Sequence, residues 1–280
     1  MKRMFRCFIL FSLVVLAMVP TMPVSAIQNG QPDGNNHPYV VLVVFYDEDH
    51  TPLWRTSGEL LSPRVVLTAG HGTIDTTYAA VWFEPNINPN NSTTFPFDVT
   101  GYPVYGGGTS VTGIPYTNPD YRAIPNPGLP GFDYHDVGVV VLDENAPVTS
   151  YAALPSAGVV NTLPAMARVD LVGYGVTSQV RGGGTLPQDS WRWNRLRNFA
   201  LANLVQSKDV LSSEFLKLTA NPGLGKGGTT FGDSGGPILN GGTNIILGIN
   251  SFVTNYNCDG VTYAQRIDIP DILDWINSFP

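Results

Sequence analysis

The chain has 280 residues, a formal net charge of −7 and only 13% charged residues. An acidic chain repels the phosphates of nucleic acids and of anionic lipid surfaces, so we expect neither as a partner. The 30 glycines and 23 prolines predict short strands joined by many turns, which favours an all-β fold.

Residues 1–26 predict a secretory signal peptide. A basic start (residues 2–6) precedes an apolar run (residues 7–19), and Val24-Ser25-Ala26 supplies a small-residue cleavage site. The apolar run is shorter than the roughly 20 residues that a transmembrane helix needs. We therefore expect a chain that is exported and, after cleavage behind Ala26, extracellular and detached from the membrane.

The rest of the chain is predicted to form two units, residues 27–154 and 155–280. Each is long enough for one small β-barrel of about 120 residues. Near the C-terminus, Ile269, Ile272, Leu273 and Ile276 recur at helical spacing. This spacing predicts an amphipathic helix whose apolar stripe packs on the second unit.

Two motifs in the first unit carry candidate catalytic residues. Leu60 to His71 is typical of an apolar strand that runs into a small-residue turn presenting a histidine. Further along, Asp136 opens the valine-rich run 137–142. A carboxylate at the start of a buried strand is costly unless it is paired, and His71 is the natural partner.

The most informative motif is the glycine turn Phe231-Gly-Asp-Ser-Gly-Gly-Pro237, with Asp233 and Ser234 at its centre. The backbone N–H groups of such a turn can face a reacting oxygen. A serine hydroxyl is a poor nucleophile at neutral pH, so it needs a base to take its proton and donors to hold the oxyanion. We predict that His71 is that base.

The Gly-Asp-Ser-Gly-Gly-Pro core, the Leu67-Thr-Ala-Gly-His71 strand end and the order His71, Asp136, Ser234 resemble the trypsin-like (chymotrypsin-fold) serine proteases. The resemblance implies two antiparallel Greek-key β-barrels followed by a C-terminal helix. It also implies that Ser234 is the nucleophile, His71 the general base and Asp136 the residue that orients His71, with the N–H groups of Gly232 and Ser234 as the oxyanion hole.

The same resemblance covers the start of the mature chain. Cleavage behind Ala26 would expose Ile27-Gln-Asn-Gly30, which is similar to the first residues of the mature family members. The resemblance implies that the new α-amino group of Ile27 pairs with Asp233, because an unpaired carboxylate beside the oxyanion hole would be costly. The alternative is that Ile27 simply begins an edge strand.

Substrate preference is inferred from four positions that resemble the family's primary pocket: Gly228, Ser251, Val253 and Gly260. Gly228 stands where an aspartate would select Lys or Arg, so its identity argues against trypsin-like cleavage. Val253 resembles the elastase version of the wall and would favour small aliphatic side chains. The last wall position is either Gly260 or Thr262, and Gly260 would open the pocket to aromatic side chains.

The resemblance also implies partners and departures. We expect protein or peptide substrates and proteinaceous inhibitors, a monomer, and no cofactor or metal. The positions of the disulfide beside the catalytic histidine are occupied by Thr56 and Gly72, and Cys258, the one cysteine beyond the signal peptide, is predicted to be a buried thiol. Two other functions stay open: a catalytically silent homologue acting as a binding or adhesion module, and an esterase.

Overall fold

The computed structural model describes residues 27, 29–87, 102–121, 133–176, 179–181, 189–191, 195–206, 213–220, 225–254, 258 and 260–280. The predicted signal peptide, residues 1–26, lies outside these residues. None of the helices in the described part of the chain has the length and apolar character needed to cross a membrane.

After a two-residue strand, β1 (Gln31–Pro32), six antiparallel strands form a closed first barrel. They are β2 (Val40–Tyr46), β3 (Pro52–Ser62), β4 (Val65–Thr68), β5 (Tyr78–Trp82), β6 (Val111–Thr117) and β7 (Gly138–Leu142). β2, β4 and β7 are rich in valine, whose branched side chains suit a pleated, packed surface. The strand order around the barrel is β2-β3-β4-β7-β6-β5.

The second barrel repeats this order. A short ribbon of β9 (Gln179–Arg181) and β10 (Asp189–Trp191) lies apart from it. The barrel strands are β8 (Arg168–Gly173), β11 (Asn198–Gln206), β12 (Phe215–Ala220), β13 (Pro237–Asn240), β14 (Ile246–Val253) and β15 (Gly260–Arg266). They follow the order β8-β11-β12-β15-β14-β13, and pairing of β13 with β8 closes the ring. The predicted all-β fold of two antiparallel barrels is confirmed.

Two short helices and one 3₁₀ turn (Val159–Thr162) complete the described structure. α1 (Gly70–Thr73) is a single turn after β4, and α2 (Pro270–Ile276) is the predicted C-terminal helix. Ile272 and Ile276 of α2 belong to a core cluster made mostly of first-barrel residues. Phe279, just after α2, contacts Tyr116 of β6 at a ring-centroid distance of 5.3 Å. The helix therefore reaches the first barrel rather than packing on the second alone.

The N-terminal segment makes the opposite crossing. β1 pairs with the start of β11 in the second barrel, with Gln31 opposite Phe199. Ile27 is fully buried in the second barrel's core together with Leu171 of β8 and Ala200 of β11. The N-terminal segment thus packs against the second barrel, and the C-terminal helix packs against the first.

Candidate active site

α1 presents His71 at the end of β4. Gly70 lets α1 lie close to the backbone that follows Asp136, because a Cβ on Gly70 would lie 2.9 Å from the backbone N of Val137. The backbone N–H of His71 donates to Asp136 Oδ1 over 2.7 Å, and His71 Nδ1 lies 2.8 Å from Asp136 Oδ2. A proton on Nδ1 is then directed at the carboxylate, which leaves Nε2 as the proton-accepting atom of the ring.

Asp136 is buried and accepts a third hydrogen bond, from Ser251 Oγ at 2.5 Å. Its own backbone N–H donates to Gln265 Oε1 over 3.2 Å. Burial is the largest influence on the pKa of Asp136 and would raise it. The charge of His71 and the hydrogen bonds from His71 and Ser251 outweigh burial, so the pKa lies below its usual value and the carboxyl is an anion.

The glycine turn around Ser234, residues 231–237, is held between the two barrels. Ser57 N–H of β3 donates to the carbonyl of Ser234 over 2.9 Å, and Gly235 N–H donates to the carbonyl of Asn250 in β14 over 2.8 Å. Gly235 has φ +74°, and a Cβ there would lie 2.2 Å from Thr68 Oγ1, so only glycine fits. These contacts fix the backbone on both sides of the Ser234 hydroxyl.

Asp233, which precedes Ser234 in this turn, is fully buried. Its carboxylate accepts hydrogen bonds from the backbone N–H groups of Gly175 (2.8 Å) and Thr230 (2.9 Å) and from Thr230 Oγ1 (2.9 Å). Burial raises the pKa of Asp233 to about 6, although these hydrogen bonds and the charge of Arg55 act in the opposite direction. A further positive charge nearby would favour its ionised form.

A cavity of about 240 Å³ brings the predicted residues together. His71, Ser234, Ser251 and Val253 all line it. Thr229, Thr230, Phe231, Asn250 and Phe252 complete the described lining.

Two residues predicted for the pocket, Gly228 and Gly260, are not part of that lining. Gly228 is buried against Ala220, and Gly260 is exposed where it pairs with Ala220 at the start of β15.

The two positions that resemble a disulfide site are neighbours. A Cβ on Gly72 would lie 2.9 Å from Thr56 Cγ2. Cys258 is buried, as expected. Within the described residues, no cluster of three or more His, Cys, Asp or Glu side chains is arranged to hold a metal ion.

Sequence reasoning missed several residues that support the site. It assigned Ser251 to the pocket but not to Asp136, and it did not single out Ser57, Thr230 or Gln265. These are common polar residues inside strands or turns. Ser251 and Gln265 lie 115 and 129 positions from Asp136, and Ser57 lies 175 positions from Gly232. Only the three-residue spacing between Thr230 and Asp233, typical of a local side-chain turn, offered a signal.

Comparison with known proteins identifies the family to which this architecture belongs. The family model described as Trypsin matches residues 27–276. The chain belongs to the trypsin family. No curated protein is significantly similar to it in sequence.

Solved structures share the trypsin fold at low sequence identity. A structure described as HL collagenase has 17% identity and a TM-score of 0.64, covering 90% of this chain and 97% of its own. Human heparin binding protein has 17% identity and a TM-score of 0.58, covering 91% and 98%. The VesB protease of Vibrio cholerae has 18% identity and a TM-score of 0.59, covering 90% and 67%. At these identities the likeness shows the fold.

Proposed function

We propose that this trypsin-family chain is an exported serine endopeptidase that hydrolyses peptide bonds through an acyl-enzyme. The observation that carries the proposal is the cavity lined by both His71 and Ser234, together with the contact between Asp136 and Nδ1 of His71. Ser234 Oγ would attack the carbonyl carbon while His71 takes its proton and later delivers it to the leaving amine. Asp136, kept ionised, would stabilise the imidazolium that forms.

The oxyanion would be held by the backbone N–H groups of Gly232 and Ser234. In support, Gly232 has φ +92°, a conformation that glycine adopts without strain and that lets the turn curve tightly ahead of Ser234. The hydrogen bonds from β3 and to β14 restrain this turn before substrate arrives. Donors that are already oriented need no reorganisation when charge develops on the substrate oxygen.

The preferred residue before the scissile bond would be small and aliphatic. Val253 and Phe252 line the cavity, and Phe252 is stacked on Tyr263 at a centroid distance of 4.8 Å. A valine on the wall narrows the space for a side chain, and no Asp, Glu, Lys or Arg is among the described lining residues. Selectivity would be moderate, because one methylene in a pocket is worth about 1–3 kcal/mol.

Activation would depend on a new N-terminus at Ile27, released from residues 1–26. Ile27 shares the second core with Leu171, and Gly173 lies two residues further along the same face of β8. A Cβ on Gly173 would lie 2.3 Å from Asp233 Oδ1, so this face of β8 leads from Ile27 to Asp233. The ammonium of Ile27 would lower the pKa of Asp233 from about 6 and stabilise the turn.

Mapping of cleavage sites in a denatured protein tests the function. The purified chain beginning at Ile27 is compared with its Ser234→Ala variant and with Val253→Gly. We expect cuts after small aliphatic residues, no cuts with Ser234→Ala, and a shift toward larger residues with Val253→Gly. Cuts after aromatic residues by the unaltered chain would overturn the specificity alone, whereas absence of any cut would favour a silent binding module.

A one-residue extension tests the activation pair separately. Adding a single alanine before Ile27 keeps every other residue but moves the ammonium away from Asp233. We expect kcat/KM to fall by at least about tenfold, since one misplaced charge pair of this kind is worth more than 1.4 kcal/mol. An extended chain with full activity would show that Asp233 does not need the α-amino group.

A further inference from the structure

Ser57 lies in β3 on the face that meets the second barrel, and its hydroxyl joins two segments of that barrel. Ser57 Oγ donates a hydrogen bond to the carbonyl of Gly232 over 2.9 Å. The same oxygen accepts one from the backbone N–H of Tyr174 over 2.9 Å. Ser57 is fully buried, so water does not compete for either contact. One hydroxyl therefore connects Gly232, in the turn of residues 231–237, with the segment that follows β8.

The surroundings leave room for a serine and for little more. A Cβ on Gly236 would lie 3.0 Å from Ser57 Cβ, and a Cβ on Gly173 would lie 3.1 Å from Ser57 Oγ. The Ser57 backbone is also fixed, because its N–H donates to the Ser234 carbonyl and its carbonyl accepts from Thr68 Oγ1 over 2.8 Å. The hydroxyl is thus held at one place relative to both Gly232 and Ser234.

Resting on the proposed endopeptidase function, we propose that Ser57 is a positioning residue for the oxyanion hole. The Gly232 carbonyl belongs to the peptide unit that joins Gly232 to Asp233, so holding it sets ψ of Gly232. Together with φ of Gly232 and the two dihedrals of Asp233, that angle sets the direction of the Gly232 N–H relative to the Ser234 N–H. The other end of this peptide unit, the Asp233 N–H, donates to the Thr230 carbonyl over 3.0 Å. Glycine has little steric preference of its own, so without the Ser57 hydroxyl the carbonyl end is no longer held and the peptide unit can tilt about that single contact.

The hydroxyl also satisfies the N–H of Tyr174 beside Gly175, which donates to Asp233. Removing it leaves a buried donor and a buried acceptor without their partner, and both can be satisfied again only by movement of the turn. The effect is therefore expected on the transition state, where the oxyanion hole acts, and much less on the substrate-binding cavity lined by Val253.

The test compares Ser57→Ala and Ser57→Gly with Thr56→Val, all in the chain beginning at Ile27. Thr56 is also buried in β3 but faces the other way, where its hydroxyl lies 3.1 Å from Thr68 Oγ1. The readouts are kcat, KM and the affinity for a peptide boronate, a mimic of the tetrahedral intermediate. A peptide product serves as a mimic of the ground state. Concentrations are normalised by active-site titration.

We expect both Ser57 variants to lose about tenfold or more in kcat and in boronate affinity, with KM and product affinity little changed. Removing an oxyanion-hole donor outright costs about 10²–10³ in kcat, and a misdirected donor costs less. Thr56→Val should lower thermal stability and leave these ratios unchanged. If Ser57→Ala folds poorly, Ser57→Gly, which removes the hydroxyl and adds no bulk to the crowded site, carries the test, with kcat counted per titrated active site. Ser57 variants with normal kcat and boronate affinity would overturn the inference, whereas an unaltered chain that hydrolyses no peptide would overturn the proposed function itself.

Discussion

At the scale of single residues, β3 holds an unusual carboxyl group. Glu59 is fully buried, and neither of its oxygens has a hydrogen-bond partner within the described structure. Burial raises the pKa of Glu59 well above its usual value, so the folded chain holds this group as the neutral acid. The residues next to Glu59 in the sequence, Gly58 and Leu60, do not indicate that it is buried. The sequence alone therefore gave no reason to predict a buried carboxyl group here.

Glu59 makes stability depend on pH. Its pKa is raised on folding, so the unfolded chain loses this proton first and the free energy of unfolding falls as pH rises above about 4.5. The loss is about 1.4 kcal/mol for each pH unit between the unfolded and folded pKa values. We expect Glu59→Gln to match the unaltered chain near pH 4 and to be more stable at pH 8. Denaturant unfolding at both pH values measures this, and an equal difference at both would contradict it.

The proposed catalytic residues show what sequence can and cannot reveal at this scale. His71 and Asp136 were predicted as partners because a carboxylate opening an apolar strand needs one, and the two lie in contact. Ser251 was predicted to line the pocket, but its hydrogen bond to Asp136 was not foreseen. A serine in a strand has no pattern that identifies a partner 115 positions away.

At the scale of elements, β3 and α1 meet beside the site. Thr56 of β3 and Gly72 of α1 are in contact at the position where the family resemblance implies a disulfide. Thr56 instead bonds to Thr68 of β4, and the α1 turn is held through His71 and its bonds to Asp136. The resemblance predicted this proximity, whereas the threonine pair depends on side-chain packing that the motif does not encode.

A double variant, Thr56→Cys with Gly72→Cys, should form a disulfide in this position. Closing a loop of this length stabilises the folded state by about 3 kcal/mol, chiefly by restricting the unfolded chain. We expect a higher Tm under oxidising conditions that returns toward the original value when a reductant is added. Each single cysteine variant is the control. Three thiols titratable after the oxidised double variant is unfolded without reductant, instead of Cys258 alone, would show that the geometry is unsuitable.

At the scale of the whole molecule, one buried cation joins the N-terminal segment to both barrels. Arg197, at the edge of β11, is fully buried, and its Nε lies 3.0 Å from Asp33 Oδ2. Its Nη1 donates to the carbonyls of Val40 (2.8 Å) and Phe83 (3.2 Å) in the first barrel and to Tyr174 Oη (3.4 Å). Its Nη2 donates to the carbonyl of Gly34 and to Asn35 Oδ1.

Replacing Arg197 should therefore destabilise the whole fold. Arg197→Met leaves the buried Asp33 carboxylate with His37 as its remaining partner in the described structure and leaves the Phe83 carbonyl without this donor. Breaking a buried ion pair by removing one partner costs about 3–5 kcal/mol. Arg64→Met is the matched control, because Arg64 is exposed and has one side-chain hydrogen bond, to the Leu142 carbonyl, in the described structure. That variant should lose less than about 1 kcal/mol. Equal unfolding free energies for the two variants would argue against the role of Arg197.

The two-barrel architecture could be predicted only through the family resemblance, since glycine and proline content indicates no more than an all-β chain. The pairing of β1 with β11 and the packing of α2 near Tyr116 were not predicted. Both join segments that are far apart in sequence, and periodicity within a segment carries no information about which distant surface it will cover.

We propose that Ser234 is a nucleophile activated by His71. Labelling with diisopropyl fluorophosphate, followed by intact-mass and peptide analysis, tests it most directly because the reagent needs no knowledge of the substrate. We expect one adduct per chain, located on Ser234, and labelling slowed by at least about a hundredfold in His71→Ala. Absence of an adduct on Ser234, or an equal labelling rate in His71→Ala, would contradict the claim.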